Sequence, residues 1–367
     1  MIGLLKNNIL KFTIPLCFLD KENIIVARFN KIYKYNLETK RETFITKLPL
    51  SFFRQIFSRF RLTNRLLRLG VRYAIPINEE IVLLVFDYKF FELNLNSKEL
   101  TETFTIPQGN KPLNISNVNS INGFDDGLYF GEYFENLARD IVNIFRRNIN
   151  GNWDIVYTFP KDTIEHIHNI IPDPYNNCLW ILVGDFDKAA GIWKASYNFE
   201  KVEPIIIGKQ DYRSCVAFPT ESGLVYATDS QLERNSIRIL KETNGKWESH
   251  LIQEINGSAI YGCMVKNKMF LSTTVEGDSL KKGKIGKFFD REPGPGILNN
   301  ESHILSGDLE SGFNVVLKNK KDSWPFILFQ FGTVIFPSGI NDSDKLVVYN
   351  IALTKNDLNT VIYNIKY

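Results

Sequence analysis

The stretch from Ile164 to Asp185 reads IEHIHNIIPDPYNNCLWILVGD, and Lys209 to Asp229 repeats its plan as KQDYRSCVAFPTESGLVYATD. Each is a pair of apolar strands joined by a short turn. Each opens on polar, ionisable residues: His166 and His168 in the first, Gln210, Tyr212 and Arg213 in the second. Each second strand ends on a carboxylate, Asp185 or Asp229. Apolar middles with chemically active ends, twice over, mark both an architecture and the face of it that works.

The same plan extends along the chain. Apolar second strands are expected at Ile24–Arg28, Ile81–Asp87, Leu128–Glu132, Leu179–Asp185, Leu224–Asp229, Lys268–Thr274 and Val334–Ser338. Most of their ends lie 44–53 residues apart, the period of a four-stranded propeller blade. Two gaps are longer and carry insertions. The expectation is an all-β fold, a seven-bladed β-propeller forming a single domain over residues 1–367, with insertions at about 51–70 and 276–312. The 28 Phe and 15 Tyr suit strands.

Asn150-Gly151-Asn152-Trp153 and Asn244-Gly245-Lys246-Trp247 are the same hairpin signal, about 94 residues or two blade periods apart. Each Trp is expected to pack between blades. NINGNW and ETNGKW resemble shortened Asp-box turns of sialidase-like (BNR-repeat) β-propellers, and GEYFENLARDIVNIFRRNINGNW is similar to a blade segment of that superfamily. Asn stands here for the family's Asp, and the Gly-to-Trp spacing is one residue shorter. The resemblance implies the fold. Its enzymes would need three arginines and a Tyr nucleophile beside a Glu. Tyr133, Tyr212 and Arg28 are available, but no motif assigns them those roles.

In a propeller the start of each innermost strand and the end of its neighbour share one face of the disc. That face is expected to gather Glu132, Tyr133, His166, His168, Asp185, Gln210, Tyr212, Arg213 and Asp229, with Arg139 in the loop after Glu132. His166 and His168, two apart on a strand, point to one side. No motif requires a cofactor. A divalent metal at His166 and His168, with Asp185 or Gln210, is one reading; a hydrogen-bonded His beside a solvated one is the other. Glu132, Asp185 and Asp229 could supply an acid and a base, or could cap strand ends. Arg139 and Arg213 suit a carboxylate held bidentately. His168, Tyr212 and Arg213 also fit what propeller lyases of uronates use.

The expected function is therefore action on an acidic glycan, by hydrolysis or elimination; a non-catalytic propeller binding a glycan or protein is the alternative. The net charge of +3 gives no nucleic-acid signal. The first insertion, SFFRQIFSRFRLTNRLLRLG, puts Phe52, Phe53, Ile56, Phe57 and Phe60 on one helical face and arginines on much of the rest. It reads as a helix packed on the propeller with a solvated basic side, as a peripheral membrane contact, or as a basic wall beside an anion site. The second, with KKGKIGKFFDREPGPG, reads as a loop. Lys6, Asn7, Asn8 and Lys11 interrupt the apolar N-terminus, no run is long enough to span a bilayer, and the four cysteines lack CxxC spacing. A cytoplasmic protein with reduced thiols is expected.

Overall fold

The computed structural model describes residues 2–366 except Asn110, 279–282, Lys284, Ile285 and Lys287. Seven antiparallel four-stranded sheets stand around a central channel, each described below from its innermost strand outward.

Blade 1 is Thr13–Phe18, Asn23–Arg28, Lys31–Asn36 and Glu42–Lys47. Blade 2 is Tyr73–Pro76, Ile81–Phe86, Lys89–Asn94 and Leu100–Thr105. Blade 3 is Ser116–Val118, Gly127–Gly131, Val142–Arg147 and Trp153–Phe159. Blade 4 is His166–Asp173, Cys178–Gly184, Gly191–Ser196 and Lys201–Ile207. Blade 5 is Ser214–Thr220, Gly223–Thr228, Asn235–Thr243 and Lys246–Ile255. Blade 6 is Ser258–Val265, Lys268–Thr274, Glu301–Asp308 and Gly312–Lys320. Blade 7 is Thr333–Ile335, Lys345–Ile351 and Thr360–Lys366, completed by the N-terminal strand Gly3–Leu10.

Gly3 pairs with Lys366 and Leu10 with Thr360, so the two ends of the chain close the ring within one blade. This closure corrects one expectation. Val334 belongs to the innermost strand of blade 7, and the second strand is Lys345–Ile351.

The core lies between blades, because each sheet is covered on both faces by its neighbours. Cys178–Gly184 is buried at every position, which is why it reads as an unbroken apolar run. The two tryptophans work as expected. Trp153 packs 4.8 Å from Phe90 and 5.1 Å from Phe104 of blade 2, and Trp247 packs 5.1 Å from Trp180 of blade 4. At the second turn Asn244 and Gly245 have φ of 52° and 75°, as a tight Asn-Gly hairpin requires.

The first insertion is two short helices, α1 (Phe52–Phe57) and α2 (Arg61–Leu67), whose basic side is solvated at Arg59, Arg61 and Arg68 but turns inward at Arg65. Arg65 is fully buried against Asp322 and the Phe329 carbonyl, Arg61 pairs with Asp322 and Asp357, and Arg54 pairs with Asp87. The phenylalanines face outward instead, with Phe52 and Phe53 each 71% exposed. Arg65 and Arg61 find carboxylates on blade 7 and its approach, which anchor the helices with their apolar residues turned outward. The second insertion is shorter than expected, because Glu301–Asp308 is already the third strand of blade 6. Its Gly294 and Gly296 amides bond to the carbonyls of Glu276 and Gln231, folding the loop over blades 5 and 6. All four cysteines are free thiols. No described helix is long and apolar enough to cross a membrane.

Candidate functional site

The site grows from a bulge. In blade 4, Ile167 pairs with Val183 and Asn169 with Leu182, so His168 stands outside the ladder. A bulge re-aims a side chain without breaking the strand. Here it brings the Nε2 atoms of His166 and His168 to 3.1 Å. Cys215 occupies the matching bulge of blade 5, between Ser214 and Val216. Gly184 makes room for the His168 ring: a Cβ there would lie 2.2 Å from His168 Cε1.

Both imidazoles are oriented from behind. His166 Nδ1 faces the Phe134 carbonyl at 3.0 Å and His168 Nδ1 faces the Ser214 carbonyl at 2.9 Å. A carbonyl only accepts, so each Nδ1 carries the hydrogen and each Nε2 presents a lone pair. Asp185 Oδ1 lies 3.1 Å from His168 Nε2 and 3.4 Å from His166 Nε2. Both Nε2 lone pairs thus converge on Asp185 Oδ1, which Arg213 Nη2 also approaches at 3.1 Å, and the space between the imidazoles could take a divalent cation or a proton. Ligands about 2.0–2.2 Å from a divalent ion stand roughly 3.0–3.5 Å from one another, and these three separations match. A second group, His168, Cys215 and Asp229, has its ligand atoms within 4.8 Å of one another.

Arg213 holds the next position. Its Nη2 lies 3.1 Å from Asp185 and 3.3 Å from Asp229, and its Nη1 donates to Gln231 at 3.1 Å. Burial opposes ionisation of Asp185, but the Arg213 guanidinium beside it overcomes that and holds its carboxyl well below the usual range. Burial likewise opposes the charge on Arg213, and Asp229 and Asp185 more than restore it. Cys215 donates to Asp229 at 3.2 Å; burial and that carboxylate push the thiol well up. Burial, then the Asp229 charge, push Glu276 up to about 8. Glu276 Oε1, Asp229 Oδ1 and Arg213 Nε are buried with no partner among the described residues.

The Tyr133 ring stands edge-on to His166, 4.7 Å between centroids. Burial, then Asp185, keep its phenol protonated. The mouth opens into a cleft of about 490 Å³ whose walls include Tyr88, Tyr133, Glu165, His166, Asp185 and Phe186.

Of the residues expected at this mouth, the structure brings Tyr133, His166, His168, Asp185, Arg213 and Asp229 together. Gln210 joins from a 3₁₀ turn, Gln210–Tyr212, donating to the Asp185 carbonyl at 2.9 Å. Tyr212 lies under Lys209 Nζ and has no contact with the cluster. Glu132 turns into its own blade, where its carboxylate accepts from the Asn143 amide at 2.8 Å. Arg139 makes no ion pair with the cluster, and Arg28 pairs with Glu42. Sequence reasoning passed over Glu165, Cys215, Gln231 and Glu276. Glu276 was within reach: it follows the second strand of blade 6 by two residues, as Asp185 and Asp229 directly follow theirs.

No protein-family model matches the chain, and no curated protein sequence matches it. Solved structures do resemble it. An oligogalacturonate lyase in complex with manganese superposes with a TM-score of 0.56 at 10% identity, over 99% of this chain and 90% of the other. An oligogalacturonate lyase from Vibrio parahaemolyticus gives 0.52 at 11% identity, over 99% and 91%. The N-terminal domain of Nup159 gives 0.52 at 10% identity, over 100% and 96%. At these identities the likeness is one of fold. It places the chain among β-propellers, which host lyases and non-enzymes alike.

Proposed function

We propose that this propeller is a metal-dependent lyase that breaks an acidic oligosaccharide by β-elimination. The observation that carries this is the convergence of the His166 and His168 lone pairs on Asp185, beside Arg213 and at the foot of an aromatic-walled cleft. Two proteins of similar fold being oligogalacturonate lyases, one with manganese, supports it.

His166, His168 and Asp185 would hold the ion. Bound there, a divalent metal supplies Lewis acidity toward a uronate carboxylate, and so acidifies the proton on the adjacent carbon. Arg213 adds a fixed positive charge on the same side. Glu165 lines the cleft, bonded by one oxygen to the Asp185 amide, and its other oxygen takes no bond among the described residues. It serves as the base that removes that proton. The electron pair forms the new carbon–carbon double bond, and the glycosidic oxygen leaves. Glu276, neutral at pH 7 because burial and Asp229 hold its proton, gives that proton to the departing oxygen.

Elimination suits the site better than hydrolysis. The three carboxylates expected at the mouth are committed elsewhere, Asp185 and Asp229 to Arg213 and Glu132 to its own blade. The imidazole pair beside a carboxylate-binding arginine favours a uronate acidified at the carbon next to its carboxylate. The test is absorbance of the unsaturated product from oligogalacturonate after manganese is added to chelator-treated protein. Product from the parent and none from His168→Ala supports the reading. Binding of the saccharide with no product under any metal would make the chain a non-catalytic glycan receptor instead.

A further inference from the structure

One cationic cluster takes no part in the chemistry above. Arg72 immediately precedes the innermost strand of blade 2, and its amide is fixed to the Val85 carbonyl at 2.7 Å. Lys111 lies in the connection to the innermost strand of blade 3. Both therefore stand at the mouth that carries His166 and Asp185. Both are half-buried, and neither side chain has an ion pair or hydrogen bond among the described residues. Arg68 adds a third positive charge nearby and spends one nitrogen on the Ile327 carbonyl at 3.1 Å.

Like charges gathered in a half-buried place raise each other's energy. Burial, then Arg72 and Arg68, pull Lys111 down to about 8; burial, then Arg68, pull Arg72 down to about 10. No described carboxylate offsets them. Elsewhere the arginines that reach inward, Arg65 and Arg213, each meet one or two acids. The cluster also connects to the site. The cleft walled by His166 and Asp185 is also walled by Tyr88, whose phenol bears electrostatically on Arg72, and by Gly109, two residues before Lys111 in sequence. Gly109 sits on Tyr133: a Cβ there would lie 2.3 Å from the Tyr133 carbonyl oxygen, and its φ is +77°. That contact fixes the Lys111 segment against the wall of the site.

We infer that Arg72 and Lys111 form an anion subsite that takes the carboxylate of the sugar next to the one at His166, His168 and Arg213. The occupant rests on the acidic-saccharide reading; the subsite rests on the unpaired cations. Glu135, Glu165 and Asp185 line the same cleft and would repel a polyphosphate, whereas tyrosine rings and spaced cations fit a uronate chain. The enzyme would then need a substrate of at least two acidic sugars.

Arg72→Gln/Lys111→Gln tests this. Relieved of repulsion, the double variant should melt at or above the parent's temperature in chloride. Sulfate at equal ionic strength should raise the melting temperature of the parent by more than that of the variant, the variant reporting sulfate's general effect alone. By calorimetry, monogalacturonate should bind both alike, and trigalacturonate should bind the parent at least tenfold more tightly. An equal response to sulfate in parent and variant would overturn the subsite. Trigalacturonate bound equally by both, or mono- and trisaccharide weakened to the same degree, would overturn its occupant. If sulfate discriminates but no uronide binds the parent, the acidic-saccharide reading falls together with the occupant, and the cation pair stands as an anion site.

Discussion

His166 Nε2 lies 3.1 Å from His168 Nε2, while the other nitrogen of each ring faces a backbone carbonyl. Two lone pairs are thus turned on each other, next to a carboxylate that Arg213 keeps ionised. A proton or a divalent ion between the two nitrogens would resolve that meeting, and the proposed function rests on the ion.

Gly184 is the residue on which that geometry depends most directly. A methyl group there would enter the His168 ring position. Gly184→Ala should cost about 1–3 kcal/mol through overpacking and lower manganese affinity at least tenfold. Thermal unfolding and metal titration measure the two effects.

Glu276 gives a pH signature with a definite sign. Its folded value of about 8 lies above its ordinary value of 4.5, so the folded state keeps a proton that the unfolded state loses. Its stabilising contribution is full below about 4.5 and is lost as pH rises through about 8. Glu276→Gln, which cannot titrate, should gain stability relative to the parent across that window in denaturant melts. In turnover the acid must carry its proton, so the parent's kcat should fall above about pH 8, and Glu276→Gln should lack that limb.

Trp153 and Trp247 hold neighbouring blades together from outside the mouth. Trp247→Ala should destabilise by about 3 kcal/mol, read from urea melts, with KM for the saccharide unchanged.

Arg65 is a buried charge whose partners Asp322 and Asp357 stand more than 250 residues away in sequence. Arg65→Met should destabilise by about 3 kcal/mol, because it leaves the Asp322 and Asp357 carboxylates buried with less compensation. Guanidinium denaturation checks it. A loss below about 1 kcal/mol would mean that Lys321 and Arg61 suffice for both acids.

Much of the fold is legible in the chain because a strand covered on both faces must be apolar throughout, as Cys178–Gly184 is, and such runs recur at blade spacing. Blade 7 defeats this reading for a physical reason. Its innermost strand, Thr333–Ile335, and its second, Lys345–Ile351, are both apolar, so composition alone does not say which is which. In the site, His166, His168, Asp185 and Asp229 follow from strand ends alone. The bulges at His168 and Cys215 do not: a bulge follows from the ladder on either side, and no residue type announces it. The inward turn of Arg65 is equally invisible, since Asp322 and Asp357 meet it only once the ring has closed.

In the proposed function His166, His168 and Asp185 together hold a divalent ion that the reaction needs. The most direct measurement is the initial rate of unsaturated-product formation from trigalacturonate as manganese is returned to chelator-treated protein. The account predicts a saturable rise for the parent, no rise for His168→Ala, and a rise needing at least tenfold more manganese for Asp185→Asn. A parent rate unaffected by chelation, or a His168→Ala curve that overlays the parent's, would contradict it.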